Sequence, residues 1–239
     1  MKINIMNDSG GKEVDIFTQE GLDAVTRLWI KTATHHRLMY EPTWLGIPII
    51  QLPEDIVIMQ ELIWKLKPDV IVETGIAHGG SAVFYASLLE LIGKGKVVAV
   101  DVDIRKHNEL AIKSHFLAHR IHMIQGSSVD PSVISRVRGE IKPTDKVMVT
   151  LDSNHSKAHV AKELELYGGI VTPGSYLVAM DGAQSWVADI PNGKPEWNTD
   201  NPLVAIEEFV AKDKRYVIDE HYNRLKITSS PKGFLRRNS

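Results

Sequence analysis

From Pro68 onward the chain alternates short apolar runs with amphipathic stretches, and this rhythm constrains the fold more than any other feature. Val70-Ile71-Val72 leads into a glycine-rich turn and a helical stretch over 81–92. A run over 96–100 stops at Asp101 and precedes a helix over 108–117; a third over 120–125 precedes a helix over 130–138, opened by Asp130-Pro131-Ser132. Runs over 147–151 and 175–180 flank a helix over 157–167. A helix over 203–212 follows, and 216–218 and 225–228 read as the closing strands. Strands without polar alternation are buried on both faces, so the pattern predicts an α/β fold, a mostly parallel sheet with helices on both faces. Ligands in such sheets bind beyond the carboxyl ends of the strands, where the strand order reverses.

The first part of the chain has a different texture. Residues 1–15 are polar, contain a Ser-Gly-Gly turn and read as a loose lead-in; 18–39 carries a helical pattern through Leu22, Val25, Leu28 and Trp29. Pro42, Gly46, Pro48 and Pro53 then punctuate an irregular stretch, and a second helix runs over 53–66 with Glu54 and Asp55 in its first turn. No internal repeat or linker interrupts the chain. The expected organisation is a helical and irregular cap over 1–53 and one catalytic domain over 54–239.

Composition narrows the function classes. A formal net charge of −2 offers no basic excess for phosphate neutralisation, which argues against nucleic acid as a partner. The absence of cysteine excludes disulfides, thiolate nucleophiles and cysteine-based zinc sites. No apolar stretch is long enough for a membrane span or a signal peptide, so a cytoplasmic enzyme is expected; a homo-oligomer is left open.

The chemistry-bearing residues gather at the strand ends. Glu73-Thr74-Gly75 ends the first strand of the series, and Gly79-Gly80-Ser81 opens the helix after it. Glycines there admit close backbone approach, and a helix N-terminus attracts an anion such as a cofactor carboxylate. The spacing is neither the dinucleotide fingerprint nor a P-loop, and an ordinary tight strand–helix turn reads equally well. Asp101, at the end of the second strand, suits a ribose diol or a helix cap, and Gly126-Ser127-Ser128 stands where small polar groups reach an adenine ring. After the fourth strand come Asp152-Ser153-Asn154-His155, a carboxylate and an imidazole in one turn that suit a metal or an oriented base. Asp181 ends the fifth strand, and two carboxylates suit Mg²⁺.

Together with the closing Gly233-Phe234-Leu235-Arg236-Arg237, these motifs resemble the cephalosporin hydroxylase / rhamnosyl O-methyltransferase family, in order from about Trp44 to the end. The resemblance implies a Rossmann-like class I methyltransferase fold, a seven-stranded sheet with its last strand antiparallel, and S-adenosylmethionine as cofactor. It implies cofactor contacts from Glu73, Thr74, Gly75, His78, Gly79, Ser81, Asp101, Ser127, Ser128 and Asp152. Related macrolide-sugar O-methyltransferases hold a divalent metal with an Asp after the fourth strand and a Glu-Asp pair after the fifth. Carried over, Asp152 and Asp181 are metal ligands and His155, supported by Asp152, is the base. Met180 stands where that Glu belongs, and a thioether is a poor ligand for Mg²⁺, so a metal here has fewer protein ligands or is absent.

The expected reaction is therefore methyl transfer to a hydroxyl of a carbohydrate-type small-molecule acceptor. The loop over 184–201 has the composition of a sugar site, with Trp186, Asp189 and Trp197, and Tyr40 and Trp44 of the cap are further acceptor candidates; anchoring of the loop or cap explains the same residues. Two rivals stand beside this reading. One is a hydroxylase or dinucleotide oxidoreductase of the same fold, the other a cofactor-binding protein without chemistry.

Overall fold

The computed structural model describes residues 1–7 and 10–238. The chain opens with β1 (Lys2–Asn7) and β2 (Gly10–Asp15), followed by α1 (Gln19–His35). The two-residue strands β3 (Thr43–Trp44) and β4 (Ile47–Pro48) precede α2 (Pro53–Leu66). The alternating series is then β5 (Val70–Thr74), α3 (Gly80–Ile92), β6 (Lys96–Asp101), α4 (Lys106–Ser114), β7 (Ile121–Gln125), α5 (Pro131–Gly139), β8 (Val147–Leu151), α6 (Lys157–Gly168) and β9 (Tyr176–Ala179). It closes with α7 (Pro202–Lys212), β10 (Tyr216–Ile218) and β11 (Phe234–Arg237).

Seven strands form one sheet in the order β10-β11-β9-β8-β5-β6-β7. β5 to β9 are mutually parallel, while β11 runs antiparallel to both β9 and β10. The expected α/β sheet with one reversed strand is present. Order reverses at β5, with β6 on one side and β8 on the other, so the crevice opens between Thr74 and Leu151. One core, including Ile63, Phe84 and Met148, covers one face of the sheet; a second, including Val72, Val149 and Leu164, covers the other.

Two expectations change. The lead-in is a hairpin, with Lys2 opposite Asp15 and Ile5 opposite Lys12, and Val14 is buried. Its cross-strand pairs include Lys2 with Glu13 at 2.6 Å. Of the expected Ser-Gly-Gly turn, Ser9 lies outside the described residues. The closing strand is also not at 225–228: Lys226 has φ 68, which breaks the extended backbone, and Thr228 and Ser229 bind Asp55 instead of a ladder. The last strand is the Phe234-Leu235-Arg236-Arg237 motif, seated against β9 with Phe234 opposite Val178.

Candidate active site

The turn after β5 is built for close approach. Gly75 (φ 90) and Gly79 (φ 92) lie in the left-handed region, and so does Ala77 (φ 45), where a side chain costs roughly 1–2 kcal/mol. Two clamps hold that conformation. Asp101 accepts from the backbone N–H of Ile76 (2.7 Å) and Ala77 (3.3 Å), and Asn108 donates to the Ala77 carbonyl at 2.6 Å. A Cβ on Gly75 would stand 2.0 Å from the Asp152 carbonyl oxygen, so glycine lets the turns after β5 and β8 touch. Asp101 thus has a structural duty at the place expected for a ribose ligand, its other oxygen accepting from the Asp103 N–H at 2.9 Å.

Beneath this turn Glu73 is 1% exposed, and neither carboxylate oxygen has a hydrogen-bond partner. Burial pushes its carboxyl up to about 8; the Ser81 hydroxyl, near it but outside hydrogen-bond geometry, opposes this, while the Asp152 and Asp101 charges add to it. Thr74 is fully buried with an unpartnered hydroxyl. Such atoms are costly unless a ligand pairs with them.

Across the crevice, Asp152, His155 and Asp181 each offer a ligand atom within 4.8 Å of the others. His155 Nδ1 lies 2.9 Å from an Asp181 oxygen. Asp181 itself has φ 57, a backbone conformation that Asp tolerates better than most residues, at the sharp exit from β9. Burial, then the Asp181 charge, hold the Asp152 carboxyl well above the usual carboxylate range. Burial works to lower the His155 pKa, but the charge and hydrogen bond of Asp181, with the Asp152 and Glu163 charges, outweigh it and the ring rises to about 9. Met180 turns away from this group: it is 5% exposed and its sulfur receives the Ser230 hydroxyl at 3.5 Å.

One cleft joins Gly75, His78 and Ser81 to Asp152, His155 and Asp181, with Tyr40 at its wall. Ser128 is turned elsewhere: its hydroxyl lies 3.1 Å from His159 Nε2, and its carbonyl accepts from Tyr167 at 3.0 Å. Ser127 is half-buried nearby, its carbonyl accepting from the Asp130 N–H. The remaining acceptor candidates are engaged away from the cleft. Trp44 donates to Ser87 at 3.0 Å and meets Phe84 edge-on, and Trp186 lies under the Arg27 guanidinium. Asp189 pairs with Lys31. Trp197 packs in a small cluster with Ile30 and Leu52; with the Gln184 amide oriented to satisfy both ends, it donates to Gln184, which donates to the His155 carbonyl. Trp197 therefore steadies the His155 loop.

Other residues at the site carry no sequence signal. Asp55 of α2 is 3% exposed and accepts from the Thr228 hydroxyl (2.5 Å), the Ser229 N–H and the Ser229 hydroxyl (both 2.8 Å). Burial pushes it up to about 6 against those bonds, and the Asp181 charge adds to the rise. Glu163, fully buried behind Asp152, accepts from Ser153 at 2.7 Å. Each depends on a partner or neighbour that only folding supplies.

The family model for Rhamnosyl O-methyltransferase/CmcI matches residues 36–238. The chain belongs to this family. The Rhamnosyl O-methyltransferase of Mycobacterium tuberculosis (strain H37Rv) is 31% identical over 222 residues, covering 90% of this chain and 86% of that protein. The Mycobacterium leprae protein of the same name is 31% identical over 141 residues, covering 58% and 59%. Among solved structures, the CmcI-N160 apo-structure superposes with a TM-score of 0.61 at 19% identity, covering 84% of this chain and 77% of that one. A putative caffeoyl-CoA O-methyltransferase from Staphylococcus aureus gives 0.58 at 15%, covering 81% and 92%. At these identities the structures show the fold, the class I methyltransferase sheet, and nothing finer. Within this family fold, the chain places its cleft at the switch point of the sheet, with Met180 turned away from it toward Ser230.

Proposed function

We propose that this protein is an S-adenosylmethionine-dependent O-methyltransferase acting on a hydroxyl of a sugar or sugar-containing acceptor. The observation that carries the reading is the contact between His155 and Asp181 beside Asp152, at the switch-point crevice and facing a glycine turn with an orphaned carboxylate. Family membership and relatives named rhamnosyl O-methyltransferases support it, as does a CmcI structure described as Mg-SAM with a TM-score of 0.61 at 18% identity, covering 84% of this chain and 78% of that one. No helix among the described residues is long and apolar enough to cross a membrane.

The residues fit the implied groups. Glu73, with both oxygens unpartnered, and Ser81, at the N-terminal turn of α3, suit the charged amino-acid end of the donor, with Gly75, His78 and Gly79 around it and Thr74 beneath. Asp101 and the 126–128 loop lie at the ends of β6 and β7, where ribose and adenine are read. Asp152 and Asp181 offer hard oxygen donors that would hold Mg²⁺, and the Met180 sulfur, turned to Ser230, would add nothing to them. When bound, the donor supplies an electrophilic methyl group, and Mg²⁺ supplies positive charge that polarises the acceptor oxygen and offsets the carboxylates around His155.

The chain's own residues then do the rest. Asp181 engages His155 Nδ1 and so leaves Nε2 free for the acceptor hydroxyl, from which it takes the proton. Tyr40, 46% exposed at the cleft, is the acceptor contact this geometry favours, and residues 1–53 act as a cap on the transferase domain over 54–239. Incubation with labelled S-adenosylmethionine and a panel of rhamnosyl and other sugar glycosides, with and without EDTA, tests the reading. Label in the sugar supports it; tight donor binding with no transfer to any glycoside overturns it in favour of a silent binding protein.

A further inference from the structure

We propose that Gln51, in the segment between β4 and α2, binds the amino-acid end of the methyl donor and completes a three-sided clamp with Glu73 and Ser81. The inference rests on the donor assignment above and extends it to a residue from outside the sheet. Gln51 is 5% exposed and lines the cleft, yet neither its amide nitrogen nor its amide oxygen has a hydrogen-bond partner. An amide buried in that state destabilises the free protein, a loss that a ligand pairing with it removes.

The position of the segment says which ligand end it meets. A Cβ on Gly80 would lie 2.2 Å from the Pro48 carbonyl oxygen and 2.6 Å from Ile49 Cα, so the backbone leading to Gln51 rests directly on the N-terminal turn of α3. Ile49 is pinned there by its N–H to the Pro42 carbonyl at 3.0 Å. The buried Tyr85 of α3 has the Gln51 and Thr150 side chains beside its hydroxyl and the Glu73 carboxylate close by. Gln51 and Glu73 therefore both neighbour the Tyr85 hydroxyl, and Gln51 shares the cleft lining with Gly75 and Ser81.

The unpaired groups have complementary demands. Glu73 presents acceptors, Gln51 one acceptor and two N–H donors, and Ser81 a hydroxyl. An α-ammonium donates up to three hydrogen bonds and its α-carboxylate only accepts, so a zwitterion meets both kinds of group at once. A sugar hydroxyl brings no positive charge, whereas an α-ammonium favours the ionised form of the Glu73 carboxyl and pairs with it. The amide is thus assigned to the amino-acid end of the donor rather than to the acceptor.

Titration calorimetry with S-adenosylhomocysteine and with 5′-methylthioadenosine, which lacks the amino-acid end, tests the assignment on the full chain. Gln51→Ala is expected to weaken S-adenosylhomocysteine about 10- to 100-fold while leaving 5′-methylthioadenosine within about twofold. Gln51→Met, close in shape but without the amide's donors and acceptor, is expected to show the same selective loss, and it serves if the alanine variant does not fold. Equal weakening of both ligands means that Gln51 only supports the fold, and unchanged affinity for both means that it touches neither; each overturns the assignment. Wild-type protein that binds neither nucleoside overturns the donor reading itself, and the clamp with it.

Discussion

His155 owes its proposed role to what surrounds it. Asp181 fixes Nδ1 and, with the Asp152 and Glu163 charges, raises the ring to about 9, so the neutral base form grows as pH rises toward 9. Replacing His155 by Ala is expected to lower transfer by about 10²- to 10⁴-fold while S-adenosylhomocysteine still binds, as calorimetry would show; a variant with full activity removes His155 from the mechanism. Glu73 makes a stability prediction with a definite sign. Folding lifts its carboxyl from the ordinary 4.5 to about 8, so its contribution is present in full below pH 4.5 and is lost as pH rises through 8. Between those values unfolding free energy should fall by about 1.4 kcal/mol per pH unit from this group. Glu73→Gln should remove that slope in urea titrations at pH 5 to 8, and an unchanged slope would mean that another group carries it. The Asp152–His155 spacing was readable because both residues leave one strand end. Asp55, Glu163 and Asn108 were not, since their partners at 228–229, 153 and 77 come from other elements.

Between elements, the contact that organises the cleft is the backbone after β4 lying on the start of α3. Gly80 makes it, because any side chain there meets the Pro48 carbonyl. Gly80→Ala should cost about 1–3 kcal/mol in urea unfolding and also weaken S-adenosylhomocysteine; a variant as stable as wild type would show that the strap yields without loss. The closing strand illustrates how local pattern misleads. Leu225 and Ile227 look extended in sequence, yet the segment between them carries a left-handed Lys226, and the next residues bind Asp55. Phe234 and Leu235 take the sheet position because they reach β9. The hairpin of β1 and β2 was hidden for another reason: β1 alternates through Ile3 and Ile5, but β2 offers only Val14 as a large apolar residue, so the pairing has little second-strand signal.

For the molecule as a whole, the two crevice walls come from opposite sides of the switch point, and a ligand bridging them should stabilise the fold. S-adenosylhomocysteine at about 100 times its dissociation constant is worth about 2.7 kcal/mol. In a chain this size that raises Tm by roughly 5–10 °C, whereas NADH should leave it unchanged in the same scan; a matching rise with NADH would favour the dinucleotide rival. The α/β class, the strand-end placement of Gly75, Asp101, Asp152 and Asp181, and the resemblance to the family were all determined by the sequence alone. Apolar runs and glycine turns are local signals, and local signals survive without a fold. Only the tertiary structure decided that Ser128 turns to His159, that the loop tryptophans brace rather than line the cleft, and that Gln51 joins the cleft lining beside Ser81. Those outcomes depend on which distant surfaces meet, and the glycine turn owes its specificity to the Asp152 carbonyl packed against Gly75.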